Sequence, residues 1–376
     1  MKIAIEAQRI FRTNKHGMDF VALETIRQIQ KLDTENEYHI IVAKGDDVCL
    51  EESKNMKIIV LSSFGGYFGW EQLVLAKKLK KIKPDILHCT SNTAPYFINT
   101  KLILTLHDII FLEKRDKKNR SIYQNLGRIY RRFIVPKIIP KTQKIITVSL
   151  YEKNVIKNFL NLNEEKIVAI YNGFSNHFNV KKNPQTIYRK YIDNDNYIFF
   201  LGNTDPKKNT QRTISAYAQY LEKTPKQEAA HLLIADLKEE IIDQILRESK
   251  IEWIKPFIHA SGYISNNDLP YIYSGAKAFL YTSLRESFGI PILESMACGT
   301  PIITSNTSAI PEIAGEGAIL VDPFIIEDIS SQLIKVMEDK EYRDKQIKYG
   351  FERIKLFSWE NTAKDLMKLY NEVGKS

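Results

Sequence analysis

The stretch YTSLRESFGIPILESMACGTP, Tyr281 to Pro301, decides how the rest of the chain is read. It begins as the end of a buried strand and passes through a short polar loop. It continues as a helix with Pro291 in its first turn and Gly299-Thr300-Pro301 at its exit. Proline suits the first helical turn, where its missing amide costs nothing, and glycine suits the position just past the last turn, where φ becomes positive. These marks predict a helix from about Ile290 to Cys298. Its N-terminus presents amides near Phe288, Gly289 and Ile290 at the positive end of the helix dipole, and Gly289 lets another molecule approach the backbone closely. An anion or a sugar hydroxyl belongs at such a mouth. Glu286 stands just before it and Glu294 about one turn inside, so two carboxylates flank one set of donors. A carboxylate accepts two hydrogen bonds side by side, which suits a vicinal diol such as that of a ribose, and Glu294 is the candidate for that task. Either glutamate alone reads as an ordinary surface charge. The joint pattern of both with Gly289, Pro291 and Gly299 is what points to a site.

Length and composition bound the rest. A chain of 376 residues is long enough for two domains with separate cores, and 44% hydrophobic residues exclude wholesale disorder. Cys49, Cys89 and Cys298 are far apart and form no CxxC pair, which argues against a disulfide framework or zinc ribbon and for a reducing compartment. The opening MKIAIEAQRI reads as a strand rather than a signal peptide, and no apolar run is long enough to span a bilayer. The expectation is a cytoplasmic protein, soluble or at most peripheral on the inner face of the membrane. The net charge of +9 is unevenly shared: residues 1–180 hold 29 Lys and Arg against 18 Asp and Glu, whereas the remainder is close to balance. The first half therefore suits an anionic partner, whether phospholipid headgroups, a diphosphate-linked acceptor or nucleic acid.

Taken in order, apolar runs alternate with helix-periodic ones. KIAIEA precedes a helical pattern from which Gly17 marks the start, EYHIIVAKG and KIIVLSS precede a helix ending in a lysine cluster, and KLILTLHDIIFLE ends at His107-Asp108. Such alternation predicts doubly wound parallel sheets, whose ligands bind at the C-terminal strand edge. Gly17, at a strand-to-helix turn, and His107, at a strand end, both fall there; by residue type alone the first reads as a turn and the second as a packing residue. In residues 114–144, eleven basic side chains and one acid interleave with Ile122, Leu126, Ile129, Tyr130, Phe133 and Ile134. This is either a core-packed helix with a solvated face or a surface that docks on an anionic membrane. The polar stretch around Lys181 to Pro184 reads as a linker. Beyond it, strand NYIFFLG leads through NTDPKKNT into a helix, so that Lys207 and Lys208 sit at a strand edge where a diphosphate would bind, though by residue type alone they read as a solvated lysine pair. Asp193-Asn194-Asp195 matches a DxD metal motif in form only; it precedes its strand on a polar turn and reads as solvated.

RESFGIPILESMACGTPIITSNTSAIPEIAGEGAILVDP, Arg285 to Pro323, resembles the E-x7-E segment of retaining glycosyltransferases of family four, also described as glycosyl transferases group 1. The resemblance covers most of the chain and is strongest from residue 196 to 323. It implies the GT-B fold, an α/β architecture of two Rossmann-like doubly wound parallel-sheet domains facing each other across a cleft. The expected divisions are residues 1–178 on the acceptor side, 179–358 for the nucleotide sugar, and 359–376 as a C-terminal helix returning to the first domain. By resemblance Glu286 and His107 lie beside the transferred sugar and Glu294 holds the ribose. Lys207 and Lys208, in a loop resembling G-x-x-x-P-R-K-N, meet the pyrophosphate, and Gly262 to Ile264 meet the base. The helix mouth at Phe288, Gly289 and Ile290, and the turn at Gly17, complete the donor contacts. Lys207 replaces the usual arginine and its two-pronged fork, Asn203 is neutral where some members are basic, Gly17 stands where the family often has a glycine pair, and Ser175 follows the Asn172-Gly173 turn where many members have aspartate.

The resemblance thus implies a transferase with no metal or other cofactor, moving a hexose from a nucleoside diphosphate sugar to a glycan or lipid-linked acceptor. GDP-mannose is the first expectation for the donor and UDP-hexoses the next. A sugar-nucleotide epimerase could share this fold. A dinucleotide oxidoreductase lacks the G-x-G-x-x-G it needs after an early strand, and a non-catalytic membrane or nucleic-acid adaptor leaves both glutamates without a task.

Overall fold

The structure, a computed structural model, describes residues 1–13, 15–62, 65–113 and 122–375, the side chains of 122–125 apart. Runs rich in β-branched residues form the strands of the first sheet. These are β1 (Lys2–Glu6), β2 (Glu37–Ala43), β3 (Met56–Leu61), β4 (Ile86–Cys89), β5 (Lys101–Thr105), β6 (Thr142–Thr147) and β7 (Ile167–Ala169). Their order is β3-β2-β1-β4-β5-β6-β7, and every pairing is parallel. The second sheet has β8 (Tyr197–Leu201), β9 (His231–Ala235), β10 (Ile258–Gly262), β11 (Ala278–Tyr281), β12 (Ile302–Ser305) and β13 (Ile319–Val321). It is likewise parallel, in the order β10-β9-β8-β11-β12-β13. In both sheets strand order reverses beside the first strand, between β1 and β4 and between β8 and β11. That reversal opens a crevice at the C-terminal strand ends, because the flanking connections leave toward opposite faces. The fold is GT-B.

Strand alternation explains how one sheet serves two cores. Ile3 and Ile5 of β1 enter a cluster with Ile26, Tyr38 and Leu366, while Ala4 between them enters another with Trp70, Leu87 and Ile134. The second sheet packs Ile198, Phe200, Leu232, Ile234 and Leu280 against Ile214, Tyr217 and Leu333.

The chain divides into two compact units, Met1–Gly173 with Trp359–Ser376, and Phe174–Ser358. The terminal helix, Trp359–Lys375, is held on the first sheet by Tyr370, whose hydroxyl lies 2.7 Å from His88 Nδ1. Lys101 Nζ donates to the carbonyls of Val373 (3.0 Å) and Gly374 (3.2 Å), placing a cation at the negative end of that helix. The chain passes from one unit to the other at Gly173/Phe174, and residues at the start of the stretch read as a linker and just before it are anchored. Phe178 is buried 6.1 Å from the Tyr273 ring centroid, His177 Nε2 meets the Asn266 carbonyl at 3.0 Å, and the Lys181 amide donates to Ser274 Oγ at 3.0 Å. Among the described residues no helix is long and apolar enough to cross a membrane. Of the basic segment 114–144, residues 114–121 lie outside the described residues and Ile122–Ile138 is a helix.

Candidate active site

The site is built where β8 and β11 run side by side. β8 ends against Gly202, where a Cβ would lie 2.4 Å from Leu237 Cδ1, so only glycine lets the strand end pass the loop that follows β9. Asp205 then accepts from the Lys207 amide (3.2 Å), opening the short turn Pro206–Lys208, and Asn209 at φ +58° leads into the helix Thr210–Lys223. This turn chemistry projects Lys207 and Lys208 from the strand edge. The loop after β11 meets it directly, the Leu284 amide donating to the Lys207 carbonyl at 2.6 Å.

Lys208 Nζ lies 2.5 Å from Glu286 Oε1 and 3.4 Å from the Tyr281 hydroxyl. The two side chains of the ion pair retain 23% and 14% of their exposure, so the pair is shielded from water and still reachable. Neighbouring loops hold the backbone under Glu286. Its amide donates to Ser308 Oγ (3.0 Å), its carbonyl accepts from the Ala309 amide (3.3 Å), and Thr307 Oγ1 donates to the Leu284 carbonyl (3.0 Å).

The helix announced by Pro291 spans Ile290–Ala297. Gly289 caps it at φ +96°, and a Cβ there would stand 3.0 Å from Ile292 Cδ1, so an alanine would be strained twice over. Phe288 is buried, with its ring edge-on to Phe357. Pro291 has no amide and the Ile292 amide donates to the Gly289 carbonyl at 3.0 Å, which leaves the Gly289 and Ile290 amides at the helix mouth without an acceptor among the described residues. Burial pushes the Glu294 carboxyl up to about 8. Among the described residues no donor or cation pairs with it. Tyr281 connects the parts: its buried hydroxyl is pushed well up, first by burial, then by Glu286, and further by Glu294. Lys208, Glu286 and Glu294 therefore act on one spot at the end of β11. Lys207 is half-buried on the same turn and makes no ion pair among the described residues.

The structure thus gathers Lys207, Lys208, Glu286, Phe288, Gly289, Ile290 and Glu294 on one strand edge of the second unit. Ile264 is buried after the end of β10, the outer strand of that sheet, where Gly262 adopts φ +63° and Tyr263 between them is 78% exposed. His107 and Gly17 belong to the first unit. His107 is buried after β5, its Nε2 donates to the Thr90 carbonyl at 3.0 Å, and burial pushes its imidazole down, so it is neutral near pH 7. Gly17 opens the helix Gly17–Leu32, and a Cβ there would meet nothing within 4 Å, so packing does not demand glycine. Asp195 is paired with Arg189 at 3.1 Å on a turn, and among the described residues no His, Cys, Asp and Glu are grouped to hold a metal ion.

Sequence reasoning missed Tyr281, Thr307, Ser308 and Tyr263. Tyr281 stood in the deciding stretch and was read only as the end of a strand. Thr307-Ser308 stood in the family-like segment with nothing local to show that they brace Glu286.

Residues 185–353 match the family described as "Glycosyl transferases group 1", and residues 16–176 match "Glycosyltransferase Family 4". Over 304 residues the chain is 26% identical to O-antigen chain mannosyltransferase B of Escherichia coli, covering 78% of this chain and 75% of that one. It superposes on sucrose-phosphate synthase of Thermosynechococcus elongatus with a TM-score of 0.76, at 17% identity and 99% coverage of both chains. On Anabaena HepE, crystallised with UDP and glucose, the TM-score is 0.73 at 17% identity, covering 99% of this chain and 100% of that one.

Proposed function

We propose, for a chain that belongs to glycosyltransferase family four, that it moves a hexose from a nucleoside diphosphate sugar to a glycan or lipid-linked hydroxyl in the assembly of surface polysaccharide. The observation that carries this reading is the Lys208–Glu286 ion pair beside the Ile290–Ala297 helix mouth, with Glu294 standing unpaired one turn inside. A diphosphate is the stronger anion and takes Lys208, with Lys207 and the helix amides on its other oxygens. Glu286 is then released to accept from hydroxyls of the sugar. Glu294 accepts both hydroxyls of the ribose, and a ligand that offers two donors favours its ionised form. The base lies toward Gly262 to Ile264, where Tyr263 offers a ring face.

The chemical step breaks the bond between the anomeric carbon and the diphosphate oxygen and forms one to the acceptor oxygen on the same face. The acceptor proton passes to the departing diphosphate, so no enzyme nucleophile is required. Negative charge grows on the leaving oxygens, and fixed donors aimed there supply the stabilisation, on the order of 3 kcal/mol for each well-placed one. Lys207, Lys208 and the helix dipole provide it in a reaction proposed to run without a metal. His107, in the first unit, is neutral and held by the Thr90 carbonyl.

Mannose is the favoured hexose because the E. coli relative is an O-antigen mannosyltransferase, and GDP-mannose is the corresponding donor. The test is a thermal-shift and calorimetric panel of GDP-mannose, UDP-glucose and UDP-galactose, followed by transfer assays with the donor that binds. Binding of GDP-mannose above the UDP sugars is expected. Failure of every sugar nucleotide to raise the melting temperature overturns the reading, and inversion at a sugar carbon with donor alone makes the protein an epimerase.

A further inference from the structure

In the first unit two helical segments cover the same face of the sheet, one over residues 66–82 and the other over Ile122–Ile138. Trp70, Leu75, Leu79, Ile134, Val135 and Ile138 turn inward and share one core with Leu87 and Leu104. The opposite faces turn outward and are not polar. Phe68 (55% exposed), Leu73 (55%), Phe97 (75%), Leu126 (61%), Ile129 (63%) and Phe133 (58%) all lie on this layer. It is joined laterally: Phe68 packs edge-on to Tyr130 at 5.5 Å, Gln72 Nε2 donates to the Tyr130 hydroxyl at 2.6 Å, and Lys141 Nζ donates to the carbonyl of Tyr96, the neighbour of Phe97, at 2.9 Å.

The charge on these segments is predominantly positive, with Glu113, whose carbonyl accepts from Arg128 and Arg132, at their margin. Across residues 66–83, 94–101 and 122–141 the sole carboxylate is Glu71, which is buried. Lys77, Lys80, Lys81, Lys137 and Lys141 are exposed, and Lys137 Nζ sits 3.5 Å above the Phe133 ring. Large apolar groups framed by long cations fit the boundary between anionic headgroups and acyl chains. The rings and aliphatic groups enter the apolar layer while the ammonium groups extend to the phosphates. A nucleic acid offers the phosphates but no place for six large apolar side chains. A second copy of the chain, paired about a two-fold axis, would set lysines against lysines.

We infer that this helical layer is a membrane-docking face, seating the first unit on a bilayer of anionic lipid with Leu126, Ile129 and Phe133 inserted. Docking does not depend on the reaction proposed above; it places the enzyme where a lipid-linked substrate would be found.

The experiment is flotation of the full chain with vesicles of phosphatidylcholine alone and of phosphatidylcholine with phosphatidylglycerol, over a salt series. Binding to the anionic vesicles only, weakening as salt rises, is expected. The Ile129→Ser/Phe133→Ser and Lys77→Gln/Lys80→Gln/Lys81→Gln variants should each lose about tenfold or more in partition, with melting temperature and donor binding unchanged. In a separate Phe133→Trp variant, indole emission should shift to the blue and be quenched by lipids brominated in the acyl chain, a readout that does not rely on loss of binding. Several results overturn the inference: no binding to either vesicle, equal binding to both, wild-type partition in the Ile129→Ser/Phe133→Ser variant, or no quenching of the new indole. A dimer dissolved by that double substitution, or tighter binding to a DNA duplex than to vesicles, overturns it in favour of another occupant.

Discussion

At the ends of β1 and β11, beside the reversal of each sheet, the two units treat a glutamate in opposite ways. Glu6 ends β1 and is 1% exposed. One oxygen accepts the Gln8 amide at 2.9 Å, and burial, aided by nearby Glu71, pushes its carboxyl up to about 7 against the opposing effects of that amide and of Arg9. Glu71 is itself raised by burial, and it accepts from the hydroxyls of Thr93 and Tyr130 and from Gln72 Nε2 (2.8 Å). In the second unit, Glu286 meets an ammonium group instead. The same strand order therefore yields one crevice closed by carboxyls and hydroxyls and another built around an exchangeable ion pair. An incoming diphosphate can compete for Lys208, whereas the Glu6–Glu71 cluster offers it further acid. Topology selects the place, and the residues brought there decide whether an anion is welcome.

The largest effect is expected in the second crevice. Lys208→Ala should lower turnover by about 100- to 1000-fold, since it removes a cation from the leaving group, and Glu286→Gln by about 100-fold. Steady-state kinetics with the donor that the binding panel selects check both. If Glu6→Gln costs as much turnover as Glu286→Gln, the contrast between the crevices is broken.

A smaller effect, mainly on binding, is expected one turn into the helix. Glu294→Ala should weaken the nucleotide about 10- to 100-fold, the worth of hydrogen bonds to a charged group, while kcat changes little. Calorimetry with the nucleoside diphosphate alone is the measurement. Equal losses in kcat and kcat/KM would move Glu294 from the ribose to the reacting centre.

The smallest effect concerns stability in the first unit. The folded Glu6 carboxyl keeps its proton up to about pH 7, whereas the unfolded one loses it near 4.5, so stability falls as pH rises through that window and the loss is complete above it. Glu6→Gln keeps the acceptor for the Gln8 amide and removes this slope. It should melt a few degrees above wild type at pH 8 and level with it at pH 4, a gain of about 2 kcal/mol at the higher pH. Part of the slope should remain, because Glu71 titrates in the same cluster. No dependence of the difference on pH would show that Glu6 is solvated.

What could be read along the chain was whatever rests on neighbouring residues. Pro291 and Gly299 bound the helix Ile290–Ala297 because capping is settled within one turn. Alternating apolar runs predict parallel sheets because burial on both faces requires them. The joint spacing of Glu286, Glu294 and Gly289 marked a candidate ligand site for the same local reason. Periodicity was less informative on Ile122–Ile138. Leu126, Ile129 and Phe133 together with Tyr130, Ile134 and Ile138 spread over about half the circumference, too wide for one core-facing stripe, and only packing against Trp70 and Leu79 decides which part is covered.

The sequence by itself determined the elements, their alternation and the pieces of the proposed nucleotide-sugar site. The tertiary structure alone decided the partners. It set Lys208 against Glu286 at a sequence separation of 78, braced that glutamate with Ser308, placed Tyr281 beside both carboxylates, and tied Tyr370 to His88 at a separation of 282. Those pairings follow from which strands become neighbours when the sheet order reverses. That choice is made by the burial of the whole sheet, and no short stretch of chain contains it.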